Sequence, residues 1–248
     1  MPRTARTARP ADDLPPDRVP PEDLDGRHDD GPSETIARYL EAMFYIDGEG
    51  EVVRAARLAE WLAVSQPTVA AALRRMARDG LIDFAPSKEL SLTPKGRAAA
   101  SEIVRKHRIA ERWLVDALGF DWLTADEEAS RLEHGLSLRV ANRLHELIGR
   151  PRTCPHGNPI PGVPQDGKRE RSLASMRPGE RAPLRRISEV AEHEVPDLLQ
   201  FLGNHGFALG GVIEMVEFSK GAGTITVQVA DRRASMSTEV AQKIWVEA

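Results

Sequence analysis

The chain has 248 residues, 41% apolar and 29% charged, with a formal net charge of −4 and a single cysteine. That length holds two or three small domains, each with its own core. One cysteine excludes an intramolecular disulfide framework, no apolar run approaches the ~20 residues of a membrane span, and the N-terminus lacks the apolar core of a secretory signal, so a cytoplasmic location with no membrane partner is expected.

Residues 1–32 are rich in Pro, Asp and Arg and nearly free of apolar side chains, and they are expected to form a disordered tail because they cannot bury enough surface to offset the entropy of ordering. Ser33 is placed to cap a helix over 34–47, in which Ile36, Leu40, Met43, Phe44 and Ile46 form an apolar stripe. A short helix over 54–62 follows. Ser65 then caps a further helix with Pro67 in its first turn and Gly80 as its stop. Residues 81–93 alternate apolar and polar around a polar turn, as a two-stranded wing would. Helix, short helix, tight turn, second helix and wing make a winged helix-turn-helix over 33–96. Its second helix enters the major groove of double-stranded DNA with its N-terminal residues at base edges. Ser65, Gln66, Pro67 and Thr68 are the expected base readers or phosphate contacts, with Arg74, Arg75 and the wing residue Lys88 on phosphate.

Thr93-Pro94 opens a long helix to about Leu118, broken by Gly119, and a single further helix is expected over roughly 124–148 with Thr124 as its cap. The apolar set of this last helix is wide enough to serve both a core and a subunit interface. On these elements lie His107, Glu111, Asp126, Glu133 and His134. His107 and Glu111 are four residues apart and share a helix face. Imidazoles and carboxylates together suit Fe(II), Mn(II), Zn(II) or Co(II). These elements are assigned to a helical domain over 97–150. Residues 151–178, rich in Pro and Gly, read as a linker. From 179 to 248 short strands around one small helix suggest a small β-barrel. No HExxH or similar frame is present, so a metal-dependent hydrolase is not expected.

The segments RLAEWLAVSQPTVAAALRRMARDGLI, LTPKGR, KHRIAERWLVDALG, EEASRLEHGLS and HGNPIPG resemble the diphtheria toxin repressor family of iron- and manganese-dependent regulators. The resemblance spans about residues 33–247. It implies a mostly α chain with β: a DNA-binding winged helix-turn-helix, a helical dimerisation and metal-binding domain, and a C-terminal SH3-like or FeoA-like β-barrel. It also implies a homodimer that binds a palindromic operator when loaded with Mn2+ or Fe2+, usually to repress metal-uptake genes. His107 and Glu111 match paired ligands of the family, Asp126 stands where a histidine ligand is frequent, Glu133 and His134 match its regulatory pair, and Glu41 matches a carboxylate ligand of the manganese-responsive branch. Two positions depart from the pattern. A first-helix ligand, Met or Asp in the family, is Arg38, and the Cys or Glu before the Glu-His pair is Ser130. A guanidinium does not coordinate metal. Set beside Glu41 and Glu133 it could pair with their carboxylates, which leaves a second reading of a DNA-binding regulator with lost or altered metal sensing. Without a sulfur ligand, Mn(II) or Fe(II) is favoured over softer metals. Cys154-Pro155-His156 reads as an ordinary loop of the family, and one of Glu192, His193 and Glu194 is a candidate to reach back to the second site.

Overall fold

The computed structural model describes residues 32–248, and the expected N-terminal tail lies outside the described residues. Helix α1 (Glu34–Gly48) buries Ile36, Leu40, Met43 and Ile46 along one face. It packs against α2 (Ala55–Trp61) and α3 (Gln66–Arg78), whose Val69, Leu73 and Met76 share the same core. Ser65 caps α3, accepting from the Thr68 amide, and Gly80 ends the turn with φ +70°. Strands β1 (Ile82–Phe84) and β2 (Leu90–Leu92) pair antiparallel as the wing. The winged helix-turn-helix is the one expected from the sequence.

Thr93 joins the wing to the long helix α4 (Pro94–Leu118): its Oγ1 accepts from the Gly96 amide (3.0 Å) and donates to the Gly80 carbonyl (2.7 Å). At ~1.5 Å per residue, α4 is long enough to connect all parts of the molecule. Ala100 and Ile103 belong to the winged-helix core, whereas Ala110 and Leu114 belong to a separate helical core. The single helix expected over 124–148 is two helices, α5 (Trp122–Leu132) and α6 (Leu138–Leu147). The cap of α5 is Asp121, not Thr124, because its carboxylate accepts from both the amide and the hydroxyl of Thr124 (3.0 and 2.8 Å). Ser137 supplies a second cap by accepting from the Val140 amide, and the break between the helices contains Gly135.

The segment read as a linker is built into the fold. Thr153 bridges to Pro159, the Cys154 amide donates to the Asn158 carbonyl, and Cys154, His156, Asn158 and Ile160 are all buried. Gly157 makes this possible. It sits at φ +91°, and a Cβ there would fall 2.0 Å from the Arg185 carbonyl oxygen. The loop is pinned to the C-terminal part by Asn158 Nδ2 donating to the Ile187 carbonyl and by the Ile187 amide donating to the His156 carbonyl.

Strand β3 (Glu170–Ser172) already belongs to the C-terminal sheet, which continues with β4 (Arg181–Ile187), β5 (Val212–Ser219), β6 (Thr224–Val229), β7 (Arg232–Ser237) and β8 (Ile244–Glu247) in the antiparallel order β3-β8-β4-β5-β6-β7. Leu184, Ile213, Met215, Ile225, Val227 and Val246 form its core with Leu202 of α8 (Leu198–Asn204). Besides β3, which fell within the expected linker, β7, α9 (Thr238–Gln242) and α7 (Glu189–Glu194) were not legible in the sequence. The last of these matters for function, because it faces α1 and the middle helices.

Candidate metal centre

A cavity of about 460 Å³ opens where α1, α4, α5 and α7 meet. All six candidate ligands line it: Glu41 from α1, His107 and Glu111 from α4, and Asp126, Glu133 and His134 from α5 and its C-terminal end. Two turns of α4 place His107 and Glu111 on the face turned toward the cavity.

The buried His107 ring lies between two carboxylates, with Nδ1 2.9 Å from Glu133 Oε2 and Nε2 3.4 Å from Asp126 Oδ1. Burial pulls its pKa down, but the hydrogen bonds to Asp126 and Glu133 and the charge of Glu133 and Glu111 outweigh this and raise it well above the ordinary imidazole value. Glu41 accepts from the Tyr45 hydroxyl (2.8 Å). Burial and repulsion from Glu133 raise its pKa to about 7. His134 contacts Glu133 Oε1 at 3.3 Å.

Donor atoms fall within 4.8 Å of one another in three groups among the described residues: Glu41–His107–Glu133, His107–Glu111–Asp126, and Glu111–Cys154–His156. The first two unite residues singled out from the sequence, while His134 lines the cavity without joining any group. The third was not anticipated. Cys154 and His156, expected to be an ordinary loop, are carried by the buried turn to Glu111, with His156 Nδ1 2.8 Å from Glu111 Oε1. A sulfur donor is therefore present, contrary to the expectation, although burial raises the thiol pKa to about 11. The signal available in the sequence was the HGNPIP motif itself, in which a glycine beside a histidine permits a turn tight enough to be buried.

The C-terminal part also reaches the cavity. Glu189, Glu192 and His193 of α7 line it, Glu192 Oε2 lies 3.4 Å from His156 Nδ1, and burial raises the pKa of Glu192 to about 8. Glu194 points elsewhere, to Arg57 (2.5 Å) and Lys243 (2.6 Å). Buried donor atoms without a hydrogen-bond partner cluster here: Glu111 Oε1, His156 Nε2, Glu189 Oε2 and Glu192 Oε1. His156 Nδ1 nonetheless approaches Glu111 Oε1 to 2.8 Å, a close ion-pair contact. A cluster of carboxylates around His107 and His156, with unsatisfied lone pairs turned inward, is an arrangement that a divalent cation resolves and that water alone solvates poorly. The residues fit a bound metal.

Arg38 lines the same cavity but is exposed, and among the described residues it forms no ion pair with Glu41 or Glu133. The pairing considered from the sequence is absent, because Glu41 turns to Tyr45 and Glu133 to the two histidines. Ser130 is an exposed part of the wall.

On the winged helix, Ser65, Gln66, Pro67, Thr68, Arg74 and Arg75 are all exposed along one side of α3, opposite the buried Val69, Leu73 and Met76. Lys88 is exposed at the wing turn with φ +64°. The expected DNA-facing residues thus share an accessible surface.

Comparison with known proteins gives the family of each part of the chain. The family model for the iron dependent repressor N-terminal DNA binding domain matches residues 33–90, that for the iron dependent repressor metal binding and dimerisation domain matches 93–162, and that for the FeoA domain matches 171–248. The iron-dependent repressor IdeR of Mycobacterium tuberculosis is 34% identical over 225 residues, covering 86% of this chain and 97% of its own. The diphtheria toxin repressor of Corynebacterium diphtheriae is 32% identical over 224 residues, with the same coverage. Among solved structures, a manganese-dependent transcriptional repressor in complex with manganese superposes with a TM-score of 0.74 at 31% identity, over 86% of this chain and 99% of that one.

Proposed function

The chain belongs to the diphtheria toxin repressor family, and from that premise we propose that the cavity between α1, α4, α5 and α7 is the metal sensor of a DNA-binding transcriptional repressor that answers Mn2+ or Fe2+. The protein is a regulator and not an enzyme. It acts as a homodimer on double-stranded DNA, and a palindromic operator controlling metal-uptake genes is the target this reading favours. Its place of work is the cytoplasm, where such an operator would be.

The observation that carries the reading is the origin of the ligands. Glu41 comes from the DNA-binding head, His107 and Glu133 from the middle helices, and their donor atoms lie within 4.8 Å of one another. A metal held there supplies positive charge that neutralises the carboxylates and binds more tightly to the arrangement that brings these elements together. Everything else is done by the chain. Glu41 ties the position of α1 to that of α4, and Tyr45 holds its carboxylate in place. His107 is oriented by Asp126 and Glu133. Glu111, Cys154 and His156 form a second ligand set, which Glu192 can complete from α7. Holding α1 against the middle helices fixes the two recognition helices of the dimer relative to each other, and two half-sites need them about one DNA turn apart. The effect is a population shift whose size equals the differential affinity of the metal for the two arrangements.

The test is fluorescence anisotropy of a labelled operator fragment, with Mn2+ or Fe2+ and after chelation, on wild type and on Glu41→Ala. The expected outcome is at least tenfold tighter binding with metal, about 1.4 kcal/mol of coupling, and loss of most of it in the variant. Equal affinity after chelation would mean that the cavity does not control DNA binding.

A further inference from the structure

We propose that Arg108 is a positioning residue that docks α7 and the 154–160 loop onto the middle helices by the chain's own bonds, and so presents Glu192 to the Cys154–His156 ligand set. The second half rests on the metal-site reading above; the first half does not.

Arg108 follows His107 on α4 and is 6% exposed, an unusual place for an arginine. Its guanidinium donates to Glu189 of α7 through Nε (2.9 Å), and its Nη2 lies 2.7 Å from the same oxygen. It also donates through Nη1 to the Pro159 carbonyl in the buried loop. The cation lies 5.9 Å from the centre of the Phe44 ring and 5.7 Å from that of Tyr45, both on α1. One side chain therefore touches the DNA-binding head, the loop and the C-terminal part at once. The planar fork of arginine allows this, and lysine, with one compact ammonium, could not reach all these partners.

The consequence for the ligands is specific. Glu189 and Glu192 are one turn apart on α7. Arg108 engages Glu189 through Oε1 and leaves its Oε2 unpartnered, while Glu192, also with one oxygen unpartnered, is the one of the two that stands beside His156, 3.4 Å from Nδ1. Glu189 is thus the docking carboxylate and Glu192 the ligand. Other ion pairs reach from the C-terminal part to the winged helix, but Arg57–Glu194 is more exposed (22% and 35% against 7% and 13% for Arg108–Glu189), and Glu49–Arg186 holds β4 rather than α7.

The test uses the full chain. Hydrogen exchange of peptides covering 154–160 and 188–195 is measured in chelator for wild type, Arg108→Met, Arg108→Lys and Glu189→Gln. Glu189→Gln removes the charge from the same link without leaving a buried cavity. The expected result is at least tenfold faster exchange in both segments for Arg108→Met, and in 188–195 for Glu189→Gln, a smaller effect for Arg108→Lys, and unchanged exchange in β5 and β6. In parallel, Co2+ is titrated and the thiolate-to-cobalt band of Cys154 is followed. Arg108→Met and Glu189→Gln should need several-fold more Co2+ for the same band, and Glu192→Gln should lose affinity while keeping normal exchange. Unchanged exchange in Arg108→Met and Glu189→Gln would overturn the docking role. Tighter Co2+ binding in Arg108→Met would overturn the assignment of Glu189, since it would mark Glu189 as a ligand that Arg108 withholds. A wild type without the band, but with the exchange effect intact, would sink the metal reading of Cys154 and leave the docking role standing.

Discussion

His107 is held between Asp126 and Glu133, and that contact decides how the site answers pH. With its pKa raised by these carboxylates well above the 6.5 of an ordinary imidazole, the metal-free ring is protonated near neutrality. In folding terms, the stabilisation from this pair is complete below the unfolded value of 6.5 and is lost as pH rises through the folded value. Asp126 behaves oppositely. Its pKa is lowered by the hydrogen bond to His107, so its contribution is present above 3.8 and lost as pH falls through the folded value. Metal coordination needs the neutral imidazole. Loading should therefore release protons, and Mn2+ affinity should rise as pH goes from about 6 to about 8. Isothermal titration in buffers of different ionisation enthalpy checks this, and binding without proton release would show that His107 is not a ligand. Replacing His107 by Ala should weaken binding by at least tenfold and flatten the pH dependence.

Among the elements, the loop between α6 and β3 is the most exacting. Its turn works only because Gly157 takes φ +91° against the Arg185 backbone. Gly157→Ala would force a Cβ into a carbonyl oxygen. It should destabilise the protein by ~2–4 kcal/mol, in the range of strain at special backbone positions. It should also displace Cys154 and His156 from Glu111. Thermal unfolding together with the Cys154–cobalt band separates the two effects, and a variant with wild-type Tm and band would show that the turn tolerates a side chain. Where local chemistry decides, the sequence reading of the elements was mostly sound, although Asp121 and not Thr124 caps α5 and Ser33 makes no side-chain cap bond to α1. The caps at Ser65 and Thr93, the stop at Gly119 and the two-stranded wing are all where the side chains place them. It failed where neighbours decide. The break between α5 and α6 falls in an apolar pattern that runs through it, and α7 is a six-residue helix too short to leave a periodic signature.

For the molecule as a whole, the exposed apolar residues mark what the monomer leaves unfinished. Leu138, Val140 and Leu147 of α6 are 36%, 46% and 64% exposed, and Leu132 and Leu118 at the ends of α5 and α4 are 38% and 51% exposed. In a homodimeric repressor these side chains are the expected subunit contact. Val140→Asp combined with Leu147→Asp should shift sedimentation from dimer to monomer at micromolar concentration and weaken operator binding by at least tenfold. The cores of the single chain would stay intact, because neither side chain is in one, and any fall in Tm would measure what the subunit contact contributes. A dimer that survives both changes would place the contact elsewhere.

Apart from the convergence of the metal-type residues between helices, which the family resemblance implied, the sequence alone determined the winged helix and the long helix with His107 and Glu111 on one face. These follow from periodicity, caps and turn residues, which act over a few positions. Tertiary structure alone decided that Cys154 and His156 stand beside Glu111, that α7 sends Glu189 to Arg108 and Glu192 to the ligands, and that Arg38 stays out of the carboxylate cluster. Each of these contacts joins residues some 40 to 90 positions apart or depends on which of several partners a carboxylate turns to. No local pattern encodes that choice, because it is settled by burial and charge only once the elements have packed.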